Sequence, residues 1–462
     1  MILLDVKMSS LRPLMVQPVY FGRGDAEKRI DETVNDMSSV LGELVSFLQP
    51  AIVPDARSAV DLKAYISPHA DALLAVNLPV WAEALAYLNL PIIVWARQGY
   101  YGAWSRDKVS FLRSKGATVY DFVDPDEARE IVRALRTVAR LRHSKIIYFG
   151  AMPGSTGRFE AVGVVGSCWN LDEIKKKFGV TVKQIPISYL LKRMDDVSEE
   201  EAMEILEEWK KDFVDLKEED LKKLLEVAKI YKAMESIMSE HGANAVTINC
   251  LADLFQTRFI TPCIALAKFS DAMIPAGCEG DLNTLLTMML FSFMSDEPPG
   301  MGNIYLFRPE RGPGFPPEDV ILEDTKVSLR ENRARFTHDV IPLKIATSKY
   351  RLADYHGTGR GLTAYADLRI GEKATFGRVD PRLDRIVFTV ADIEKVEDTV
   401  HCRFSAWIKM HNVRAYLQNI SSHHSAMVYG DWTSTLIRIS EMLGLRPIVI
   451  GRQPSSSNKF YE

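Results

Sequence analysis

The chain has 462 residues, of which 47% are hydrophobic and 26% charged, and its formal net charge is −4. This balance gives no electrostatic footprint for nucleic acid or an acidic membrane surface, so neither partner is expected. Every stretch of ~18 residues carries charges, so no membrane span is predicted. The N-terminus has an early acid and no basic region, which is untypical of a secretory signal. We therefore expect a cytoplasmic protein of about three domains.

The first 140 residues alternate short apolar segments with helical ones. We predict a helix over 25–48 and strands over 14–20, 72–76, 91–95 and 117–122. Such alternation is typical of a parallel, doubly wound sheet, so residues 1–140 are predicted to form an α/β domain. The glycine- and aromatic-rich loop after Trp95 is either a plain surface loop or a contact for a polar ligand.

A second unit of the same texture is predicted over residues 141–343. Its expected strands cover 145–149, 180–187 and 245–248. The highly charged stretch 198–241 is typical of a solvated helix pair. The turn at 150–157 resembles a phosphate-binding loop only weakly, because it lacks a Walker lysine and a dinucleotide fingerprint.

The sequence pattern changes from residue 344 onward, where short strand-like segments are separated by turns. These segments cover 365–368, 374–379, 385–390 and 402–408, and a strand over 426–429 and a helix over 432–443 follow them. The pattern predicts a mostly antiparallel β-domain over residues 344–462.

The most informative stretch is A-G-C-E-G-D at residues 276–281, which holds Glu279 and Asp281. It follows an apolar run, 264–274, that we predict as a central strand, and it precedes an apolar helix over 282–293. In α/β folds this junction lies at the edge of the sheet where ligands bind. A carboxylate there stays ionised near the helix N-terminus and can bind a metal or accept a proton. Alternatively, Asp281 is only an N-cap and Glu279 a satisfied loop acid.

The cysteines indicate reduced, buried thiols. Their number is odd, and most of them lie in apolar runs: Cys168, Cys250, Cys263, Cys278 and Cys402. None has a CxxC spacing, so neither a zinc–thiolate site nor a disulfide framework is predicted.

Three segments, in this order, resemble the L-fucose/L-arabinose isomerase superfamily. They are D-A-M-I-P-A-G-C-E-G-D, then F-T-H-D-V-I-P-L-K with S-K-Y-R-L-A-D-Y-H-G-T-G-R-G, and finally S-S-H-H-S-A-M-V-Y-G-D-W. The resemblance covers roughly the C-terminal half, whereas the N-terminal half agrees in texture only. It implies two doubly wound parallel-sheet domains followed by a mostly antiparallel β-barrel-like domain. It also implies a metal-dependent enzyme that interconverts aldoses and ketoses, as a homo-oligomer (trimer or hexamer) with active sites near a subunit interface.

The resemblance assigns roles to individual residues of the three segments. Glu279 matches the metal-binding glutamate and general base of the superfamily, and His338 and His424 match ligand histidines. A carboxylate with two imidazoles suits Mn²⁺, with Co²⁺ or Zn²⁺ as alternatives. Three protein ligands would leave open positions for two sugar oxygens, beside a carboxylate that moves a proton between neighbouring carbons.

One position departs from the pattern of the superfamily. Where that pattern has a second acidic ligand that also carries a proton, the best-aligned residue here is Asn303. An asparagine can ligate a hard cation through its carbonyl oxygen, but it cannot accept a proton at neutral pH. Asp281, Asp296 and Glu297 are the nearby acids that could take over this role.

Further residues are candidates for contacts with the sugar. They are His356, Trp432 and Arg258, for which the alternatives are a turn residue, a core aromatic and a salt-bridged arginine. His423 and His424 are adjacent, and in an extended segment they would point to opposite faces, so only one of them is expected to be a ligand.

Three functional hypotheses follow from these patterns. The first is a metal-dependent aldose–ketose isomerase. The second keeps the fold and the metal but performs another enolate reaction on a polyol or sugar acid, such as epimerisation, and the presence of Asn303 motivates it. The third is a non-catalytic sugar-binding protein, since paired doubly wound domains also build binding clefts.

Overall fold

The computed structural model describes residues 12–95, 101–122, 124–151, 167–308, 316–339, 341–399 and 403–451. The chain divides into two compact units, with the division between Ala139 and Arg140. The loop after Trp95 and most of the turn at 150–157 lie outside the described residues. Among the helices that are described, none combines the length and the apolar composition of a membrane span.

The unit of residues 12–139 is built on a six-stranded parallel sheet with the order β2-β1-β4-β5-β6, in which β3 also pairs with β1. The strands are β1 Leu14–Phe21, β2 Val45–Phe47, β3 Ala51–Val53, β4 Ala72–Ala75, β5 Ile92–Trp95 and β6 Val119–Phe122. The α-helices are α1 Ala26–Leu41, α2 Ala56–Ala59, α3 Tyr101–Ser114 and α4 Pro125–Arg142, and 3₁₀ turns cover Gly42–Leu44, Leu62–Tyr65 and Val80–Tyr87. The strands are apolar along their length because both faces of a parallel sheet are covered. The predicted helix over 25–48 ends earlier, at Gly42, whose positive φ of 53° stops it.

The second unit contains a four-stranded parallel sheet with the order β10-β9-β7-β8. Its strands are β7 Lys145–Phe149, β8 Thr181–Ile185, β9 Ala245–Ile248 and β10 Ala276–Gly277. Its helices are α5 Leu171–Phe178, α6 Ile187–Asp195, α7 Glu199–Lys210, α8 Glu218–Glu240, α9 Cys263–Asp271 and α10 Leu282–Ser295, and a π-helical stretch Cys250–Phe255 continues into a helical turn, Gln256–Arg258.

The same unit also contains a closed antiparallel barrel of six strands. They are β11 Gly300–Tyr305, β12 Arg333–His338, β15 Lys373–Val379, β16 Arg385–Asp398, β17 Phe404–Met410 and β18 His424–Tyr429. The order is β15-β18-β11-β12-β17-β16, and pairing of β15 with β16 closes the ring. β19 (Arg446–Ile450) joins β16 in parallel, and β13 (Arg351–Ala353) pairs with β14 (Thr363–Tyr365). The remaining helices are α11 Glu318–Glu331, α12 Val413–Asn419 and α13 Thr433–Met442, with 3₁₀ turns at Leu343–Ile345 and Tyr355–Gly357.

These elements confirm the predicted fold class of two parallel α/β sheets and a barrel. β11 and β12 lie before residue 344, so the barrel draws two of its strands from the predicted central segment 141–343. The predicted domain boundaries stay predictions, because the compact-unit division falls only between Ala139 and Arg140.

The apolar run 264–274 is not the central strand that we expected, and this prediction is wrong. Residues Cys263–Asp271 form a helix, and the strand beside β9 has only two residues, Ala276–Gly277. A short apolar run does not distinguish a buried helix from a buried strand by periodicity. The run contains three alanines and one leucine, which favour a helix, and Pro262 occupies the N-cap of this helix.

The buried helix α10 connects the two layers of the second unit. Its residues 282–294 are all buried, and it packs against β9 and β10 of the sheet and against β15 and β18 of the barrel. A helix that is apolar all round must be covered on all sides. The barrel satisfies the side-chain amide of Asn283, which donates to the carbonyls of Val379 and Asp380 at 3.2 and 3.0 Å.

The loop before α10 requires glycine at a defined position. Glu279 and Gly280 both have positive φ, 57° and 68°. A Cβ added to Gly280 would lie 2.5 Å from the hydroxyl oxygen of Tyr148. The Gly280 amide donates to the carbonyl of Ile248 at 2.9 Å, which ties the loop to the end of β9. The loop is therefore held in place by its hydrogen bond to Ile248 and by its close contact with Tyr148.

We predict that Gly280→Ala lowers the midpoint of thermal unfolding more than Gly371→Ala does. Both positions have positive φ, which costs about 1 kcal/mol for alanine. Only at Gly280 does the added methyl also collide with an aromatic side chain, since nothing lies within 4 Å of a Cβ at Gly371. Differential scanning calorimetry measures both variants, and equal decreases would contradict the tight loop contact.

Candidate metal centre

Three neighbouring barrel strands bring together the polar residues that the sequence singled out. Asn303 on β11 lies directly opposite His424 on β18 and also opposite Thr337 on β12. His338 is the last residue of β12. Asn303, His338 and His424 are all buried. The order β12-β11-β18 therefore places two histidines and an amide side by side, although they are far apart in sequence.

Glu279 reaches this group from the loop before α10. Its carboxylate Oε2 lies 3.8 Å from His424 Nε2. One ligand atom each of Glu279, His338 and Cys278 lie within 4.8 Å of one another, and the same holds for Glu279, His423 and His424. The His338 and His424 ring centroids are 6.2 Å apart. The structure thus brings Glu279, His338 and His424 together in two overlapping groups that share the glutamate.

Asp281 is the centre of a buried hydrogen-bond network beside this group. Both of its carboxylate oxygens accept from Arg378, at 2.5 Å from Nη1 and 3.0 Å from Nη2, and both side chains are fully buried. It also caps α10 by accepting from the Thr284 amide at 3.1 Å, and it accepts from Ser167 at 2.7 Å. Burial alone would raise the pKa of Asp281, but the charge of Arg378 and the hydrogen bond with His424 bring it well below its usual range. The carboxylate is therefore ionised.

The ionised Asp281 fixes the orientation and the tautomer of His424. His424 Nδ1 lies 3.0 Å from Asp281 Oδ2. Because an ionised carboxylate can only accept, Nδ1 carries the proton, and in the neutral ring Nε2 presents its lone pair. A carboxylate that holds one nitrogen of a histidine while the other faces a metal is a common feature of metal sites.

The site fits a metal ion by a test that does not depend on resemblance. His424 Nε2 is fully buried and has no hydrogen-bond partner among the described residues. Burying such a polar atom is costly unless something satisfies it. Its 3.8 Å separation from Glu279 Oε2 is too long for a hydrogen bond, but it suits two ligands that each lie roughly 2.0–2.2 Å from one ion.

The pKa shifts of the other two groups suit the same arrangement. Burial lowers the pKa of His338 to about 4 against the opposing charge of Asp339, and His424 and His356 also lower it, so the ring is neutral at neutral pH. Burial raises the pKa of Glu279, and the negative charges of Asp339 and Asp281 add to that increase, which His424 opposes. A neutral imidazole can ligate a metal, and a carboxyl with a raised pKa is suited to exchange a proton near neutral pH.

His423 differs from the sequence expectation. It was expected to point away from His424, but the two ring centroids are only 4.3 Å apart. β18 begins at His424, so His423 lies in a bend before the strand and the alternation of faces does not apply to it. His423 is exposed, and its ring is within reach of Glu279. Both imidazoles are therefore geometrically able to contribute to the centre.

The acids that the sequence offered as alternatives to Asn303 are mostly engaged elsewhere. Asp296 ends α10 with a φ of 58° and pairs with the buried Arg140 at 2.6 Å. Asp281 is engaged by Arg378 and reaches the centre only through His424. Within the described part of the chain, Glu297 makes no contact with Glu279, His338 or His424. Asn303 keeps the position opposite His424.

His356 forms a second polar pair close to Glu279. Its Nε2 lies 2.9 Å from Asp339 Oδ1, and its ring stacks on Tyr355 with centroids 3.8 Å apart. Its backbone has φ 51°, an uncommon conformation for a residue other than glycine, and such conformations concentrate at functional sites. The charges of both Asp339 and His356 influence Glu279, so the pair lies near the centre.

The two other candidates for substrate contact have protein partners. Trp432 precedes α13, and its indole N–H donates to the Tyr429 carbonyl at 2.7 Å. Arg258 is exposed and forms an ion pair with Asp195 at 2.9 Å. The pairing of Arg258 agrees with the alternative of a salt-bridged arginine, and its contact with a substrate stays a prediction.

Sequence reasoning missed three residues at this centre. Asp339 follows His338 directly, so the pair H-D was a local signal for it. Cys278 precedes Glu279, but the cysteines are far apart in sequence, so the sequence did not show that Cys278 lies near other thiols. Arg378 had no local signal, because it lies 97 positions from Asp281, and only the folded barrel brings the two together.

Comparison with known proteins confirms the resemblance to the L-fucose/L-arabinose isomerase superfamily. Residues 170–297 match the family described as L-arabinose isomerase central domain. The matched segment contains Glu279, whereas His338 and His424 lie beyond it.

Curated relatives extend the similarity over a larger part of the chain. The sulfoquinovose isomerase of Clostridium sp. (strain MSTE9) is 24% identical over 209 residues, which are 44% of this chain and 45% of the relative. Those of Priestia aryabhattai and Priestia megaterium (strain ATCC 12872 / QMB1551) are each 23% identical over 220 residues, 45% of this chain and 48% of the relative. The chain thus spans about half the length of the curated relatives it matches.

We predict that Asp281→Asn weakens Mn²⁺ binding by roughly 10- to 100-fold, because His424 loses the carboxylate that orients it. It should also destabilise the fold by about 3–5 kcal/mol, since Arg378 is left as a buried charge without its anion. Asp212→Asn is the matched control: it removes the anion of the buried Lys268, 2.5 Å away, without touching an imidazole. Titration calorimetry should show weakened Mn²⁺ binding in the first variant only. Equal Mn²⁺ affinities in the two variants would contradict the role of Asp281.

Proposed function

We propose that this chain is a metal-dependent isomerase that interconverts an aldose and a ketose through an enediolate. Glu279 serves as metal ligand and general base, and His338 and His424 complete the ligand set. The observation that carries this proposal is the buried Nε2 of His424, which lies 3.8 Å from the Glu279 carboxylate while Asp281 holds Nδ1 of the same ring. Similarity to sugar isomerases supports the same class of reaction.

The donor set suits a divalent cation of intermediate softness, and Mn²⁺ is our first choice, with Co²⁺ and Zn²⁺ as alternatives. When bound, such an ion supplies an electrophile that stabilises negative charge developing on substrate oxygen. The chain contributes one carboxylate and two imidazoles, so positions remain open for a substrate. Asp281 holds His424 in the tautomer that ligation requires.

The Glu279 carboxylate carries the proton in this proposal. It removes the proton from the carbon beside the carbonyl, becomes a carboxylic acid, and returns the same proton to the neighbouring carbon. Burial raises its pKa, which brings the acid and base forms closer in energy at neutral pH. Because its side chain is only 18% exposed, water has limited access to the proton in transit.

The remaining assignments describe the surroundings of this chemistry. Asn303 is proposed as a catalytic residue through its amide, and His356, Trp432 and Arg258 as contacts for sugar hydroxyls or an anionic group. The substrate is a sugar, and a sulfonated hexose belongs among the test compounds because the matched relatives are sulfoquinovose isomerases. We propose a cytoplasmic homo-oligomer, a trimer or hexamer, with its active site near a subunit interface.

We predict that Glu279→Gln lowers kcat by roughly 10²- to 10⁴-fold, because glutamine cannot accept a proton. The measurement is aldose–ketose conversion over a panel of pentoses, hexoses and sulfoquinovose with Mn²⁺, and with a chelator as reference. Glu226→Gln is the control, since Glu226 is a half-exposed glutamate paired with Lys229 at 3.3 Å. Turnover by Glu279→Gln at the level of this control would refute the proposed base.

A second candidate function is another metal–enolate reaction, such as epimerisation of a sugar or sugar acid. Asn303 favours it, because a buried amide lies opposite His424 where the resemblance implies a second proton carrier. An epimerase removes and replaces a proton at one carbon, so it does not need the transfer to a neighbouring carbon.

Turnover in deuterated water separates the two reactions. We predict that the isomerase forms the ketose, and that deuterium enters the carbon that receives the proton only to the extent that the proton on Glu279 exchanges with solvent before it is returned. Deuterium uptake at a single carbon without ketose formation would instead support the epimerase. Sugar binding without label or product, at saturating Mn²⁺, would support a non-catalytic sugar-binding protein.

A further inference from the structure

Three buried thiols, those of Cys250, Cys263 and Cys278, lie close together near Glu279. Cys250 Sγ and Cys278 Sγ are 3.2 Å apart. Cys263 and Cys278 line the same cavity of about 30 Å³, together with the thioether of Met301 and the ring of His338. All three cysteines are buried and form no disulfide. Because roughly 10–15 Å³ of such space is enough for one water molecule, the cavity is large enough for a single ion.

The fold explains why these sulfur atoms meet although the sequence has no CxxC pair. β9 and β10 are adjacent parallel strands, in which Thr247 pairs with Gly277, so their following loops carry Cys250 and Cys278 to the same edge of the sheet. Cys263 opens the buried helix α9. The expectation of buried thiols holds for these residues, but the inference that they form no metal site rested on local spacing only.

The donors around this cavity differ in chemistry from those around His424. Cys278, Glu279 and His338 offer one ligand atom each within 4.8 Å of one another. Thiolate ligands select soft cations such as Zn²⁺, Cd²⁺ or Cu⁺, whereas Mn²⁺ prefers oxygen donors. Cys250 Sγ, 3.2 Å from Cys278 Sγ, lies where a further sulfur ligand would be expected.

We propose that Cys278, Glu279 and His338, with Cys250 beside them, form a second metal site that takes a thiophilic d¹⁰ cation. This site overlaps the proposed isomerase centre through Glu279 and His338, so a soft ion withdraws two ligands from Mn²⁺. Binding displaces the thiol proton of Cys278 to solvent, and no electron is transferred. The thiolate site goes beyond the proposed function, because its occupation requires no turnover.

The overlap also gives the site a consequence for activity. If Glu279 serves one ion at a time, Zn²⁺ or Cd²⁺ competes with Mn²⁺ and acts as an inhibitor. The fully buried Asp281 remains bonded to His424 and Arg378 and is not a candidate ligand in the sulfur group. The two donor sets thus differ in the residues that only one of them uses: Cys278 in the sulfur set and His424 in the imidazole set.

The test uses Cd²⁺ as the probe and the full chain in its reduced form. Cadmium–thiolate bonds absorb in the near ultraviolet by charge transfer from sulfur to the metal. We expect wild-type protein to develop this absorption and to saturate at about one Cd²⁺ per chain. Cys278→Ala should lose it, while Cys168→Ala, which changes a partly exposed cysteine outside the cavity, should keep it. No absorption in wild type, or unchanged absorption in Cys278→Ala, would overturn the proposal.

Two further measurements keep the result independent of protein folding and of isomerase activity. X-ray absorption of wild type loaded with Zn²⁺ needs no variant, and it should show sulfur at roughly 2.3 Å, whereas a shell of oxygen and nitrogen alone would overturn the thiolate site. Cd²⁺ titrated into the Mn²⁺ form should release Mn²⁺, and retention of Mn²⁺ once the charge-transfer absorption has saturated would overturn the overlap. If no sugar is isomerised but the cadmium band appears, the proposed function fails and the thiolate site stands.

Discussion

The buried ion pair between Asp281 and Arg378 is the interaction on which the candidate centre depends. A charge pair with no exposed side-chain surface carries a desolvation cost that its attraction repays only with good geometry and further hydrogen bonds. Asp281 meets this condition through two contacts with Arg378 and additional donors at Ser167 and Thr284. The same carboxylate also accepts a hydrogen bond from His424 Nδ1 and so fixes the orientation of that ring. A single carboxylate thus joins the cap of a buried helix, a barrel strand and a potential metal ligand.

The location of Glu279 follows from this arrangement. The loop must leave the end of β10 and enter α10 within four residues, and it does so with successive positive φ angles at Glu279 and Gly280. Such a conformation in a glutamate is unfavourable by roughly 1 kcal/mol or more, so the surroundings must enforce it. The hydrogen bond of Gly280 to Ile248 and the cap at Asp281 hold both ends of the loop. The glutamate side chain is consequently placed with little freedom beside His424.

The sequence predicted those parts of the structure that have local signals. Alternating short elements gave the parallel sheets, and turn-separated strands gave the barrel. Asp281 was recognised because it precedes an apolar helix, and the histidines because they lie in segments with a family resemblance. Helix α9 was mistaken for a strand, since periodicity is ambiguous in a short apolar run. Arg378 and Cys250 could not be identified as members of the centre, because pairings over 97 and 28 positions depend on strand order and register, which local patterns do not encode.

In the proposed centre Asn303 lies where the resemblance implies a second carboxylate, and this difference changes the charge balance of the ligand set. Asp281 is paired with Arg378 and Asp339 is hydrogen-bonded to His356, whereas Glu279, the one carboxylate in the proposed ligand set, lies 3.8 Å from His424 Nε2, beyond hydrogen-bond distance. A divalent ion held by one carboxylate and neutral donors keeps more of its positive charge than an ion held by two carboxylates. It is then bound less tightly, because affinity rises with the number of charged ligands. It is also a stronger electrophile toward substrate oxygen. The amide therefore favours a centre in which the ion is exchangeable and in which a neighbouring thiolate, as an added negative ligand, alters the choice of metal.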